Sequence, residues 1–327
     1  MSRCTETGKP PISILMAIYE PRMDWLREQL LSLDAQTYPN LKLYIRDDCS
    51  PTVSFDAIQS CAQDCIRAFP YEIKRNENNL GSNKTFEKLT QEAEGEYFAY
   101  CDQDDSWLPE KLEKLQCAIE EKNALLVCSD MYIIDGEGTR TADSITKVRR
   151  HHVFCSGEGL SPELVFRNWV TGCTMLVRAS EAKAAVPFCP YMVHDHYLAL
   201  YCADKGSIFC LEEPLIRYRI HGKNQTGVIA GVGSRKEYLA VRVVAVRKKF
   251  EWLRKYFYRA TPPLEELLRT GFDWASARES YLQHKGGAAT IWKYRKYGPR
   301  TALFELFAPV LPEKLFLYVV NLARKIL

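Results

Sequence analysis

The chain has 327 residues, of which 46% are hydrophobic and 12% aromatic, enough for one large domain or for one domain with an appended unit. Its formal net charge of +3 at pH 7 is small and by itself indicates no class of partner. No apolar run of the sequence approaches the ~18–20 residues that a membrane-spanning helix needs, so a spanning helix is not expected.

Strand-like and helix-like segments alternate through the first part of the chain. Strands are predicted at 12–18, 41–45, 71–74, 97–101 and 125–128, because these runs are apolar and bounded by turn residues. Amphipathic segments between them predict helices, one of which is capped by Ser82 or Asn83. This order predicts an α/β fold with a mostly parallel, Rossmann-like central sheet.

The fourth strand ends in Tyr100-Cys-Asp-Gln-Asp-Asp-Ser-Trp107, which places three carboxylates directly after a buried run. Crowded carboxylates repel one another unless a cation lies between them, and oxygen ligands suit Mg²⁺ or Mn²⁺. Two other strands also end in polar residues, Tyr19 and Asp48, at the edge where open α/β sheets bind ligands. The pattern predicts a metal-assisted diphosphate site. The alternative is a solvated acidic turn before a helix with Pro109 in its first turn.

The second half predicts further strands at 173–177, 207–211 and 215–220, and a helix that opens with His194-Asp-His196. Beyond residue 233 the sequence is helical in pattern and rich in basic and aromatic residues. We therefore expect two domains, residues 1–232 and a C-terminal helical extension over residues 233–327.

The charge of the chain is unevenly divided between these two parts. Residues 1–232 hold 25 Lys+Arg and 33 Asp+Glu, a net charge of −8. Residues 233–327 hold 19 Lys+Arg and 8 Asp+Glu, a net charge of +11. Basic residues alternate with large aromatics, and the apolar segment 311–327 is too short and too charged to span a bilayer. This pattern predicts peripheral attachment to an anionic membrane surface. The alternative is that these helices pack on the first domain or form a homo-oligomer; no nucleic-acid motif accompanies the charge.

The twelve cysteines are scattered singly, many in apolar runs, and no pair has CxxC spacing. The first residues lack the apolar core of a signal peptide. Buried, reduced thiols in a bacterial cytoplasm are expected, with the protein at the inner face of the membrane.

Six motifs in order resemble the inverting GT-A glycosyltransferases of family 2, which transfer a sugar from a nucleoside diphosphate. They are Ile12–Tyr19, Tyr44–Ser50, Asn79–Lys84, Tyr100–Trp107, His194–His196 and Tyr218–His221. The last three are similar to the bacterial rhamnosyltransferase-like branch, which makes dTDP-rhamnose the expected donor. A saccharide or a lipid-linked molecule is the expected acceptor, and the absence of a Gln-x-x-Arg-Trp motif argues for single-sugar addition.

The resemblance implies a role for each matching residue. It implies nucleotide-sugar binding by Ala17, Tyr19, Asp48, Asn83, Lys84 and Asp102. It implies metal binding by Asp102, Asp104 and His221, with Mn²⁺ or Mg²⁺ as the ion. Asp105 is interpreted as a second metal ligand or as a cap for the helix at Pro109, of which the cap is favoured, and Asp47 as a structural aspartate. Direct displacement at the anomeric carbon also needs a base, for which Asp195 at a helix start is the candidate.

Two other functions fit parts of the sequence. Asp102-x-Asp104-x-Ser106 superficially matches the first motif of aspartate-nucleophile phosphatases, although that motif is expected on a first strand. A non-catalytic scaffold with a glycosyltransferase fold is the other alternative, and the intact acids argue against it.

Overall fold

The computed structural model describes residues 8–149, 152–221, 232–257 and 260–326. The chain forms two compact units. The sheet unit comprises Met1–Phe188 with Val193–Gly222, and the helical unit comprises Cys189–Met192 with Lys223–Leu327. The division falls between residues 222 and 223, ten residues before the boundary expected from the sequence.

A nine-stranded sheet forms the centre of the sheet unit, as far as the structure describes it. Its strands are β1 Ile12–Ile18, β2 Leu41–Asp47, β3 Tyr71–Arg75, β4 Tyr97–Cys101, β5 Ser106–Trp107, β6 Leu126–Ile134, β7 Arg140–Ala142, β8 Met175–Arg178 and β9 Ile208–Arg219. Their order is β3-β2-β1-β4-β8-β6-β9-β5, with β7 paired to β6. β1 to β4 are mutually parallel, and β6 is parallel to β9. β8 runs antiparallel to both of its neighbours. The expected α/β fold with a mostly parallel sheet is confirmed.

Eight α-helices belong to the described part of the sheet unit. They are α1 Met23–Asp34, α2 Phe55–Cys65, α3 Ser82–Glu92, α4 Lys111–Glu121, α5 Ile145–Val148, α6 Ser161–Leu164, α7 Ala179–Ala184 and α8 His194–Lys205. The strands β1, β2 and β4 are almost wholly buried. Apolar faces of α1, α2 and α4 pack in the same core, which explains why these strands read as near-continuous apolar runs.

The structure differs from the sequence prediction at three element boundaries. α3 begins at Ser82, but Gly81 is its N-cap, and neither Ser82 nor Asn83 caps it. α4 begins at Lys111, so Pro109 lies before the helix. The two strands expected at 207–211 and 215–220 are one strand, β9, because the ladder with β6 shifts register around Pro214 and so accommodates a residue without a backbone N–H.

The regular elements in the described part of the helical unit are all helices. It contains α9 Arg235–Tyr238, α10 Ala245–Tyr256, α11 Pro262–Leu282, α12 Ala288–Lys293, α13 Pro299–Phe307 and α14 Glu313–Ile326, with a π-helical turn at Leu239–Val244. A buried ion pair joins Arg278 to Glu305, which also accepts from the Tyr238 hydroxyl at 2.8 Å. Among the described residues, no helix is long and apolar enough to cross a membrane.

Candidate active site

The carboxyl ends of β1, β2 and β4 lie at one edge of the sheet. Met16 is level with Cys101 and Ile18 with Asp47 in the ladders, so Tyr19, Asp48 and Asp102 follow neighbouring strand ends. β8 runs in the opposite direction, and therefore its amino end meets the same edge. The structure thus brings together the three strand ends that the sequence predicted to share a ligand crevice.

Tyr19 is held at this edge by a residue that the sequence analysis did not select. Its backbone N–H donates to Oε1 of Gln103 at 2.8 Å, and Nε2 of Gln103 donates to the Tyr19 carbonyl at 3.0 Å. The Tyr19 side chain is 44% exposed and is available to a ligand. Ala17, on β1, is half-buried and is level with Arg46.

Asp48 is buried and holds the loop that precedes α3. Its Oδ1 accepts from Asn76 Nδ2 and from the Leu80 N–H, and its Oδ2 accepts from the Gly81 N–H, each at 2.8 Å. A carboxylate has about four acceptor positions, so one remains for a further donor. Asp47, by contrast, accepts from the Ser50 hydroxyl at 2.6 Å and pairs with Arg75, the structural role expected for it.

Asn83 and Lys84 lie in the first turn of α3, directly after Gly81. Asn83 is half-buried, and Lys84 is exposed with its Nζ 2.7 Å from Glu87 Oε1. The dipole of the helix favours an anion near such a helix start.

Asp104 and His221 contact each other although they are far apart in the chain. Nε2 of His221 lies 2.8 Å from Oδ2 of Asp104, and both side chains are partly exposed. Two ligands at adjacent corners of an octahedron with ~2.1 Å bonds would be about 3.0 Å apart, so this pair fits one Mg²⁺- or Mn²⁺-sized ion. The carboxylate oxygen of this pair is a ligand type that suits Mg²⁺ and Mn²⁺.

Asp102 shares its surroundings with two fully buried groups. Ligand atoms of Asp102, Asp105 and Cys173 all lie within 4.8 Å of one another. Burial, with the charges of Asp104 and Asp195, raises the pKa of Asp102 to about 7. Such crowding of acids is relieved by a cation, so the donor set fits a divalent ion.

Asp105 does not cap a helix, contrary to the sequence interpretation. It is completely buried, and its Oδ1 accepts from the Arg219 backbone N–H at 2.9 Å. α4 starts six residues later with Glu110 at its N-cap. The reason is that the two-residue strand β5, at Ser106–Trp107, pairs with β9 and carries the chain inward before the helix begins.

Lys111 is a buried lysine that the sequence analysis also missed. Its Nζ donates to the Cys173 carbonyl at 2.6 Å and lies 3.0 Å from the centroid of the Trp107 ring. Burial lowers the pKa of Lys111 to about 7, while the nearby groups of Cys173, Asp105 and Asp102 oppose that shift. The available signal was its position on the apolar face of α4, next to Leu112.

Asp195 lies in the first turn of α8 and accepts several hydrogen bonds. Its Oδ2 accepts from the Gly172 N–H at 2.9 Å, and its Oδ1 accepts from Asn168 Nδ2 at 3.2 Å and from the His196 N–H. Burial raises the pKa of Asp195 to about 6, although these hydrogen bonds lower it in part. The carboxylate is therefore poised to accept a proton near neutral pH.

The two histidines beside Asp195 are structural. Burial lowers the pKa of His194 to about 3, so its ring is neutral, and the ring packs against Phe86 with centroids 4.1 Å apart. Nε2 of His196 lies 2.5 Å from the Leu164 carbonyl oxygen. Both rings fix the start of α8 and so the place of Asp195.

A Rossmann-like sheet whose edge carries an acid cluster and a partnered aspartate defines an α/β transferase of the GT-A type. The family model described as glycosyl transferase family 2 matches residues 13–180, which is about half of the chain. The chain belongs to that family.

Two relatives extend the similarity beyond the matched region. TuaG of Bacillus subtilis strain 168, whose name assigns it provisionally to teichuronic acid biosynthesis, is 25% identical over 256 residues, 77% of this chain and 92% of its own. The dTDP-rhamnosyl transferase RfbG of Shigella flexneri is 23% identical over 291 residues, 83% of this chain and 91% of its own.

Two solved structures share the fold. TarS residues 1–349 of S. aureus, in complex with UDP-GlcNAc, has a TM-score of 0.56 at 16% identity, covering 86% of this chain and 83% of its own. The mannosyltransferase PcManGT of Pyrobaculum calidifontis, in complex with GDP-Man and Mn²⁺, has a TM-score of 0.53 at 14% identity, covering 93% of this chain and 81% of its own. At these identities the likeness shows the GT-A fold.

Proposed function

We propose that this family 2 glycosyltransferase moves one sugar from a nucleoside diphosphate to a saccharide or lipid-linked acceptor in cell-surface polysaccharide assembly. The observation that carries the proposal is the convergence of Asp102, Asp104, His221 and Asp195 on the edge of the sheet where the strand ends meet. The name of the relative TuaG, which refers to teichuronic acid biosynthesis, supports the assignment to surface polysaccharides.

The proposed reaction is a single inverting displacement. The acceptor hydroxyl oxygen forms a bond to the anomeric carbon while the bond from that carbon to the diphosphate oxygen breaks. The proton of the hydroxyl passes to the Asp195 carboxylate, and the diphosphate departs with the bonding electrons. Asn168 and the Gly172 N–H orient the carboxylate, and the pKa of about 6 keeps it ionised at pH 7.

A divalent ion is proposed at Asp104 and His221, with Asp102 beside it toward the ribose. When bound, Mn²⁺ or Mg²⁺ supplies electrostatic stabilisation for the departing diphosphate. The protein holds the two ligand side chains 2.8 Å apart and keeps them partly exposed. A bound cation would relieve the repulsion between the crowded carboxylates, which favours its binding.

The nucleotide is proposed to bind along the ends of β1 and β2. The exposed Tyr19 ring would stack on the base, the remaining acceptor position of Asp48 would take a pyrimidine imide N–H, and the Ala17 backbone would line the pocket. Asn83 and Lys84 would meet the diphosphate at the start of α3. A pyrimidine nucleotide is consistent with dTDP-rhamnose, the proposed donor, which is also named in the relative RfbG.

The aspartate-nucleophile phosphatase is not favoured, because Asp102 follows the fourth strand of the sheet unit and not the first. A scaffold without activity is not favoured either, because Asp195 and the Asp104–His221 pair keep geometries suited to chemistry. The deciding experiment is a screen of nucleotide sugars for donor hydrolysis and transfer, with and without Mn²⁺. Metal-dependent release of nucleoside diphosphate from one pyrimidine sugar is expected; release of inorganic phosphate from simple esters instead would overturn the proposal.

We further propose that the helical unit attaches the enzyme peripherally to an anionic leaflet, where a lipid-linked acceptor would be found. α14 buries Phe316 and Val320 but exposes Leu315, Tyr318 and Leu322 at helical spacing. Phe307 and Val310 are 61% and 78% exposed in the preceding segment. The exposed cations of the same region complement anionic headgroups: Lys293, Arg295, Lys296, Arg300 and Lys314.

Vesicle co-sedimentation tests this attachment. The full chain should pellet with vesicles containing anionic phosphatidylglycerol, less so at high salt, and not with phosphatidylcholine alone. The double variant Phe307→Glu, Tyr318→Glu should stay in the supernatant, whereas Leu31→Glu, an exposed leucine of the sheet unit, should pellet as wild type does. Loss of an oligomer instead of loss of vesicle binding would assign the face to a second copy of the chain.

A further inference from the structure

Arg219 is a buried arginine at the end of β9, two residues before His221. It is only 1% exposed, and its hydrogen bonds reach three other segments of the sheet unit. We propose that Arg219 is the positioning residue of the metal site, which sets His221 against Asp104 before any ion binds. The inference rests on the proposed function of that pair as metal ligands.

The first set of contacts fixes the acidic turn. The backbone N–H of Arg219 donates to Oδ1 of Asp105 at 2.9 Å, and its Nε donates to the carbonyl of Asp104 at 2.8 Å. One residue therefore holds both the backbone of the first ligand, Asp104, and the side chain of the next residue. The buried Asp105 carboxylate acts as the acceptor that ties the end of β9 to this turn.

The second set of contacts anchors the guanidinium from the other side. Its two terminal nitrogens donate to the carbonyl of Asp135 at 3.1 Å, in the β6–β7 turn, and to Glu28 Oε2 at 2.5 Å, on α1. The guanidinium carbon lies 5.0 Å from the centroid of the Trp25 ring, which lies 5.0 Å from the His221 ring centroid. Arg219 thus holds the backbone that carries His221, and it packs on the tryptophan that flanks the His221 ring.

The geometry of arginine explains why this position needs that side chain. A planar guanidinium offers five N–H donors in a fixed fork, whereas a lysine ammonium offers three on a flexible stem. A lysine at position 219 cannot reach Asp104, Asp135 and Glu28 in the same arrangement. Without the fork, a smaller fraction of the molecules would hold the two ligand atoms 2.8 Å apart. The apparent metal affinity would fall in proportion to that fraction.

Mn²⁺ affinity, measured directly, separates positioning from simple stability. Mn²⁺ alone is titrated into the full chain, and the free aqueous ion is followed by its electron paramagnetic resonance signal, with circular dichroism confirming the fold. Arg219→Lys should bind Mn²⁺ about 10- to 100-fold more weakly than wild type, as is typical when a partner of a metal ligand is removed. The matched control is Arg278→Lys, a buried arginine paired with Glu305 in the helical unit, which should lose stability but keep wild-type Mn²⁺ affinity.

A folded Arg219→Lys protein with wild-type Mn²⁺ affinity would overturn the inference and leave Arg219 a structural arginine. Should Arg219→Lys fail to fold, Glu28→Ala decides, because the Glu28 side chain is 43% exposed and its removal deletes the carboxylate that anchors one end of the guanidinium. Glu28→Ala should weaken Mn²⁺ binding severalfold, and unchanged affinity would also overturn the inference. If wild type itself binds no Mn²⁺, the metal site of the proposed function is wrong, and the positioning role is wrong with it.

Discussion

Replacement of Asp195 by asparagine tests the proposed base with little change in shape. In the wild type, both carboxylate oxygens accept N–H donors, from Gly172 on one side and from Asn168 and His196 on the other. An asparagine amide has only one acceptor oxygen, so one donor loses its partner. We expect a loss of about 1–3 kcal/mol in the free energy of unfolding, and a fall of about 10²–10⁴-fold in the transfer rate.

The dependence of the transfer rate on pH tests the same role of Asp195 independently. The base acts as a carboxylate, and burial has raised the pKa of Asp195 to about 6, so activity should be full above that pH and lost below it. At pH 5 only about a tenth of the molecules carry the carboxylate, and the transfer rate should be about tenfold lower than at pH 8. The profile of Asp195→Asn should lack this step.

The assay combines transfer rates with calorimetric binding of the nucleoside diphosphate. The proposed base would meet the acceptor and not the donor, so Asp195→Asn should bind nucleotide with nearly wild-type affinity. A variant that loses nucleotide binding and transfer together would refute the reasoning, because Asp195 would then act only by fixing the start of α8. A wild-type pH profile without a step near pH 6 would refute it as well.

Three further predictions concern the other parts of the site. Asp104→Asn should lose transfer by several orders of magnitude while circular dichroism stays unchanged, since an amide is a poor ligand for a hard cation; wild-type turnover without metal would contradict this. Thymidine or uridine diphosphate should raise the melting temperature more than guanosine or adenosine diphosphate, and equal shifts would remove the base-reading role of Asp48. Gly172→Ala should cost about 1–3 kcal/mol in urea unfolding, because its Cβ would lie 2.7 Å from His194 Nε2, whereas Gly136→Ala, with its nearest atom at 3.8 Å, should be near neutral.

The sequence predicted the parts of the fold that depend on consecutive residues. The strands that precede Tyr19, Asp48 and Asp102 could be predicted, because each is a continuous buried run followed directly by a polar residue. The pairing of the acids with His221 was expected only through the family resemblance, since 117 residues separate Asp104 from that histidine.

The remaining residues of the site could not be predicted because their roles depend on distant partners. Gln103 bonds to Tyr19 across 84 residues, and Lys111 bonds to the Cys173 carbonyl across 62. Asp105 looked like a cap because an aspartate before a helix commonly is one. Only the pairing of the short strand β5 with β9 shows that Asp105 faces inward, where it accepts from the Arg219 N–H.

The reversed direction of β8 has a consequence for how the enzyme can diversify. Because β8 enters the sheet at the edge where its neighbours end, the segment that leads into it reaches the site without crossing the sheet. That segment carries Asn168 and Gly172, which hold the proposed base. Recombination that exchanged only this stretch between relatives would remodel the surroundings of the proposed base and leave the proposed nucleotide site, at the ends of β1 and β2, intact. New glycosidic linkages could therefore arise by exchange of this segment, without change to the residues proposed to bind the donor.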